Sequence, residues 1–188
     1  MLVLASRSPR RREILQQAGI PFVVRPAEVD ETPFRGEVAR DYVMRIAREK
    51  AGAATATRGE IVLGADTTVA IHGELLGKPL DAADARRMLR LLSGRRHEVL
   101  TGICLRPEGR VVEDCAETSV WFAPLSSQEI EDYAASGEPM DKAGAYAIQG
   151  LASKFIQRIE GCYFNVMGLP VAMVYRHLRA LQGALSAA

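Results

Sequence analysis

Residues 61–76 read IVLGADTTVAIHGELL. Ile61 to Ala65 is a nearly continuous apolar run, the pattern of a central strand buried on both faces. Val69 to Ile71 and Glu74 to Leu76 flank His72-Gly73, which reads as a hairpin turn. A buried strand followed at once by a hairpin predicts a mixed sheet and not an all-parallel one. Between the two lies Gly64-Ala65-Asp66-Thr67-Thr68. An acid directly after a buried strand is held rigidly at the sheet's edge, where α/β folds place their sites. Asp66 could ligate a divalent metal or take a proton from water, or it could cap a turn at the strand's end.

Upstream of this stretch, Met1 to Ala5 reads as a short buried strand. Ser8 is a good N-cap and Pro9 suits the first helical position. Ile14, Leu15 and Ala18 supply the helix's apolar face, and Gly19 ends it. Phe22 to Arg25 predicts a second strand, and 26–36 a surface loop. Val38, Tyr42, Ile46, Ala47, Ala51 and Ala54 recur at helical spacing over 37–57. Downstream, Asp81 caps a helix burying Ala85, Met88, Leu89 and Leu92. Strands follow near 98–105 and 111–122, joined by Pro107-Glu108-Gly109. Ser126 and Glu129 have capping-box spacing. A strand is predicted around 155–159, and Pro170 opens a final amphipathic helix through Val171, Val174, Leu178 and Leu181. The alternation of helices and strands argues for α/β or α+β, in one domain over 1–188 without repeats or linkers.

The chain is 188 residues long and 48% hydrophobic, enough for a full core. Its 24 basic and 23 acidic residues nearly cancel, so bulk attraction to nucleic acid or an anionic membrane is not expected and any basic site must be local. Cys104, Cys115 and Cys162 are far apart and lack CxxC spacing, which predicts reduced thiols and no zinc site. The apolar N-terminus is too short for a signal-peptide core, and no stretch is long enough to span a bilayer. The expectation is a soluble cytoplasmic protein.

Three cations, Arg10, Arg11 and Arg12, stand at the head of the first helix, where the partial positive charge of the helix start favours acids. Arg10 and Arg11 can both reach forward beside the free N–H groups, making an anion site. The alternative is a solvated basic turn, the reading kept for Arg12. Lys50 lies late in the long helix, Lys78 sits between Gly77 and Pro79, and Lys142 precedes Ala143-Gly144-Ala145. A lysine ammonium suits phosphate oxygens, although each could be ordinary surface charge. Glu31, in the loop after the second strand, is a possible second carboxylate. His97, His72 and Cys162 read as structural, and Trp121 and Phe122 as core. No P-loop, dinucleotide fingerprint or HExxH is present.

Together the blocks SRSPRRREIL (6–15), REKA (48–51), GADTTV (64–69), GKP (77–79), MLRLLSGRRHEVLTG (88–102), SGEPMDKAGAYAIQG (136–150) and GCYFNVMGLP (161–170) resemble the Maf family of nucleoside triphosphate pyrophosphatases over nearly the whole chain. The resemblance implies an α/β (α+β mixed) fold of Maf/ITPase-like type: a twisted mixed β-sheet flanked by helices, with two lobes around a central cleft. It implies hydrolysis of a nucleoside triphosphate between the α and β phosphates, with a divalent metal, Mg²⁺ or Mn²⁺, and often a homodimer. Thr67 and Ile148-Gln149-Gly150 look like the dTTP/UTP type. On this reading Asp66 activates water, as base or as metal ligand, with Glu31 as its partner at the metal. Arg10, Arg11, Lys50, Lys78 and Lys142 hold the triphosphate, and Arg10, Thr67 and Gln149 set specificity. An exposed Asp, with a pKa of about 3.9, is a poor base at neutral pH, a difficulty that a metal-bound water would remove; the sequence leaves both arrangements open. Two rival readings are a division-regulating or nucleic-acid-binding protein without turnover, and a house-cleaning pyrophosphatase for modified pyrimidine nucleotides.

Overall fold

Strand β3 (Ile61–Ile71) is the spine of the molecule. The computed structural model describes residues 1–185; the last three residues of the expected domain lie outside the described residues. On one side β3 pairs in parallel with β1 (Leu2–Leu4), which in turn pairs with β2 (Phe22–Val24). Past the His72-Gly73 turn, β4 (Glu74–Leu76) folds back antiparallel onto β3. On the other side run β5 (Arg96–Arg106), β6 (Val112–Phe122) and β7 (Ile156–Glu160), each antiparallel to its neighbour. The result is an open, mixed, seven-stranded sheet in the order β2-β1-β3-β5-β6-β7, with β4 on β3.

The segment around Asp66 departs from its sequence reading. It is not a strand end: β3 runs unbroken through Gly64–Thr68 into the hairpin. The partner strand explains this, since β5 pairs residue by residue across the polar stretch, Asp66 facing Gly102 and Thr67 facing Thr101. The ladder's hydrogen bonds hold polar residues that propensity alone would assign to a loop.

Helices cover both faces. α1 (Pro9–Gln17), α3 (Ala82–Leu92), α4 (Ser127–Ala135) and α6 (Val171–Leu185) pack against the face carrying Leu4, Leu63, Ala65, Val69, Ile103 and Phe122. Ser8 caps α1, Asp81 caps α3, and Ser126 and Glu129 close a capping box on α4. α2 (Ala39–Ala53) covers the opposite face, its Ala47 and Ala51 on Val3, Val62 and Cys104, its Tyr42, Val43 and Ile46 on Leu100 and Cys115. It is shorter than the periodicity predicts. Glu37 stays outside it, accepting from the Phe34 N–H and from Arg45. Five-residue α5 (Tyr163–Met167), stopped by left-handed Gly168, was not legible in the sequence, nor were the 3-10 turns between 138 and 155. The Phe122 ring is core, but Trp121 is half-buried on the other face, with Arg96 and Arg158 over its ring.

Two glycines let α2 lie directly on the sheet. A Cβ at Gly64 would sit 2.1 Å from the Ala47 carbonyl oxygen, and one at Gly102 would sit 2.4 Å from that of Val43. An isolated glycine inside a strand marks such a close backbone approach.

Candidate active site

β1 and β4 share one edge of β3 without meeting. β1 covers Ile61–Leu63, its last contact being the Ala5 N–H donated to the Leu63 carbonyl, and β4 covers only Val69–Ile71. Between them, among the described residues, no strand pairs with Gly64–Thr68 on that side. The chain leaving β1 turns over this gap through Ser6 and Ser8 into α1. A strand's side chains alternate between faces, so Asp66 and Thr67 leave the gap in opposite directions.

Asp66 points toward α2. There Lys50, one turn from the end of α2, donates from Nζ to Asp66 Oδ1 at 2.8 Å and pairs with Glu31 Oε1 at 2.7 Å. The glycines under α2 bring that ammonium within reach. Lys50 and Asp66 are both buried, whereas Glu31 comes from an exposed loop held by the Tyr42 hydroxyl, which donates to the Glu31 carbonyl at 3.0 Å. Burial pushes the Asp66 carboxyl above the usual aspartate range, against the opposing pull of Lys50 and Arg11. The low basicity expected of an exposed Asp therefore does not apply. Asp66 Oδ2 accepts no hydrogen bond from the described residues and is open to a water.

Thr67 points to the other face, toward α1. Arg11 is buried there and does not reach forward beside Arg10 as the sequence suggested. Its Nε donates to the Gly168 carbonyl at 2.8 Å, Nη1 to Ser6 Oγ at 3.1 Å and Nη2 to Thr67 Oγ1 at 3.1 Å. Because α1 starts above the gap, Arg11 also lies in the field of Asp66 and Glu31. Arg10, rotated by about 100° from it, leaves in a different direction. Its Nη1 and Nη2 donate to Asp141 Oδ2 at 2.9 Å and to the Asp141 carbonyl at 3.1 Å. Lys142 donates to the same Asp141 carboxylate and, at 2.9 Å, to the Glu138 carbonyl. Lys78 is exposed and makes no hydrogen bond to the described residues; its neighbour Gly77 accepts from the Gly144 N–H, so its loop adjoins that of Lys142. Gln149 is exposed in the turn Ala147–Gly150.

The seven candidates nearest the gap thus fall into an inner set, Asp66, Lys50, Glu31, Arg11 and Thr67, and a rim containing Arg10 with Lys142. Sequence reasoning missed Asp141, which holds the rim cations, and Ser6, Thr101 and Gly168, which hold the inner set. An acid beside Lys142 and two glycines inside strand patterns were the available signals.

The carboxylates of Glu31 and Asp66 converge on one ammonium, and among the described residues no group of three or more His, Cys, Asp or Glu gathers to hold a metal. Two oxygen ligands suit Mg²⁺ or Mn²⁺, ions that keep waters and complete their shell with substrate phosphates. They do not suit a closed zinc site.

Comparison with known proteins shows what the whole chain is similar to. The family pattern described as Maf-like protein matches residues 1–181. The dTTP/UTP pyrophosphatase of Anaeromyxobacter dehalogenans strain 2CP-C is 56% identical over 182 residues, covering 95% of this chain and 92% of that protein. The dTTP/UTP pyrophosphatase of Anaeromyxobacter sp. strain Fw109-5 is 57% identical over 183 residues, covering 95% and 88%. That of Citrifermentans bemidjiense is 53% identical over 188 residues, covering 98% and 96%. A pattern spanning all but the last residues, and relatives more than half identical along nearly their whole length, lead to one assignment: the chain belongs to the Maf family.

Proposed function

We propose that this protein hydrolyses nucleoside triphosphates, dTTP and UTP foremost, at the α–β phosphoanhydride, releasing the nucleoside monophosphate and pyrophosphate. One observation carries the reading. A buried carboxylate with a free oxygen, Asp66, lies at an uncovered strand edge between Lys50 on one side and Arg11 on the other. Phosphoryl transfer needs an oriented water, charge neutralisation and in-line positioning. Asp66 Oδ2 orients the attacking water and takes its proton as the new P–O bond forms. The environment that raises its proton affinity makes it a better base than an ordinary aspartate. Lys50 and Arg11 stabilise charge on the phosphoryl oxygens, and the rim cations Arg10, Lys142 and Lys78 hold the leaving pyrophosphate.

Glu31 and Asp66 would hold a Mg²⁺ or Mn²⁺ ion together with phosphate oxygens; such an ion supplies further charge neutralisation and polarises the phosphoryl group. Thr67 and Gln149 offer a hydroxyl and an amide to the carbonyl and N–H edge of uracil or thymine, beside Arg10. The working protein is a cytoplasmic enzyme, as a homodimer, without nucleic-acid or membrane partners. Among the described residues no helix is long and apolar enough to cross a membrane.

The test is pyrophosphate release from a panel of ordinary and modified nucleoside triphosphates with Mg²⁺ or Mn²⁺. UTP and dTTP should lead the panel, and Asp66→Asn should lower kcat by about 10³-fold while nucleotide still binds. Full activity in that variant would remove Asp66 from the chemistry. A preference for guanine nucleotides would refute the substrate assignment, and turnover of modified pyrimidines above UTP would favour the house-cleaning role.

A further inference from the structure

Glu138 stands where two parts of the rim meet, and it holds each with a different group. It follows α4 and is half-buried. Its Oε1 accepts from the hydroxyl of Tyr133, a buried residue of α4, at 2.8 Å. Its Oε2 accepts from the Leu151 N–H at 3.1 Å. The Tyr133 oxygen in turn accepts from the Ala147 N–H at 3.2 Å. Ala147 and Leu151 bracket the turn that carries Gln149, which the Gly150 N–H closes on the Ala147 carbonyl at 3.1 Å. That turn is therefore pinned at both ends to one carboxylate–phenol pair. Backbone N–H groups only donate and carboxylate oxygens accept, so each of these bonds has one possible direction.

Gly150 makes room for the carboxylate. A Cβ there would lie 2.3 Å from Glu138 Oε2 and 2.5 Å from Oε1. Its φ of −104° is outside the left-handed region, so space, not backbone freedom, is what this glycine supplies. The backbone carbonyl of Glu138 has a separate task. It accepts from Lys142 Nζ at 2.9 Å, and Lys142 shares the Asp141 carboxylate with Arg10. The Glu138 side chain thus serves the Gln149 turn, while its main chain serves the rim cations.

We propose that the Glu138 side chain is a positioning group that holds Gln149 toward the nucleoside end of the substrate, independently of the cations that hold the pyrophosphate end. This rests on the reading above, in which Gln149 meets the nucleoside and Arg10, Lys142 and Lys78 meet the leaving pyrophosphate. An exposed side chain on a free turn spreads over many orientations, and ordering it on binding costs affinity. A turn fixed during folding removes that cost from the binding step. Glu138 acts through Gln149 and needs no contact with substrate. Glu138→Gln separates its two tasks. The amide has a single acceptor oxygen, so either Tyr133 or Leu151 loses its partner, while the backbone carbonyl under Lys142 is retained.

The test measures KM for UTP and the inhibition constant of pyrophosphate in wild type, Glu138→Gln, Gln149→Ala and the double variant. Glu138→Gln should raise KM about tenfold, the scale of one lost hydrogen bond, and leave inhibition by pyrophosphate unchanged. A general disturbance of the rim would weaken both ligands together; equal losses overturn the inference, and so does an unchanged KM. In the Gln149→Ala background the same substitution should cost less than about threefold, because the route it acts through is already gone. A second loss as large as the first overturns the inference. Should Glu138→Gln fail to fold, Gly150→Ala, whose Cβ displaces the same carboxylate, takes its place with the same expected and opposing results. Absence of UTP hydrolysis by wild type would instead reject the substrate reading. Exchange of the Leu151 amide hydrogen, which needs no turnover, then decides the anchoring: a rate about tenfold faster in Glu138→Gln supports it, and an unchanged rate overturns it.

Discussion

Lys50 and Arg10 are both cations assigned to the triphosphate, but the fold treats them differently. The Lys50 side chain is 10% exposed and is shared by two carboxylates from different elements, Asp66 in β3 and Glu31 in a loop. The Arg10 side chain is 21% exposed and is paired with Asp141, whose own side chain is 58% exposed. The inner ammonium is fixed against the carboxylate to which the proposed mechanism gives the chemistry. Removing it leaves charge stranded in a poorly hydrated place. The outer guanidinium is held by a solvated partner that an incoming phosphate can replace, at little cost in folding. In the proposed mechanism the same charge therefore has a structural and catalytic task at one position and a binding task at the other.

The comparison breaks most visibly at Lys50. Lys50→Met should lower kcat/KM by roughly 10³-fold, the usual scale for losing a preorganised electrostatic stabiliser. It should also lower the unfolding free energy by about 3 kcal/mol, because Asp66 loses its ion partner in a buried site. Steady-state kinetics and urea denaturation on one preparation measure both. A kinetic loss with unchanged stability would show that Asp66 finds another partner. Arg10→Ala should be milder and separable. KM should rise roughly tenfold, kcat should stay near wild type, and stability should change by less than about 1 kcal/mol. If Arg10→Ala and Lys50→Met prove alike in both readouts, the division into inner and outer cations is wrong.

The same division marks where sequence reading succeeded. β3, the hairpin and the caps of α1, α3 and α4 were legible because each depends on local pattern: an apolar run, positive-φ turn residues at His72-Gly73, a hydroxyl or carboxylate three residues ahead of a free N–H. Lys50, Asp66 and Glu31 could be nominated, but their meeting could not. It depends on α2 settling onto Gly64 and Gly102, a long-range contact that local periodicity does not carry. Arg10 and Arg11 looked equivalent because adjacent residues of one type carry no sign of which is buried. The gap between β1 and β4 over Asp66 decides that, and it is a property of sheet order. Asp66 itself was misplaced at a strand end because the pairing that continues β3 belongs to β5, more than thirty residues downstream.

A smaller effect sharpens the account of Asp66. Burial raises its pKa in the folded protein, and Lys50 and Arg11 offset this only in part. A carboxyl with a raised folded pKa binds its proton more tightly in the native state than in the unfolded chain. Its contribution to stability is therefore present at low pH and is lost as pH rises through the folded value. At neutral pH the ionised Asp66 is a burden on folding, one that the proposed mechanism accounts for by giving its charge a part in turnover. Asp66→Asn, which is neutral at every pH, should then melt at or slightly above the wild-type temperature at pH 8. Its advantage should shrink as pH falls through the raised folded value, where the wild-type carboxyl gains its proton. In the wild type, kcat/KM should fall on the acid side at a pH above the ordinary aspartate range, and in Lys50→Met the residual activity should fall at a higher pH still, because the nearest compensating charge is gone. Thermal melts of the first pair and pH–rate profiles of the second are sufficient. An Asp66→Asn protein that is less stable than wild type at pH 8 would mean that the pull of Lys50 and Arg11 outweighs burial, and that Asp66 is a poorer base than its surroundings imply.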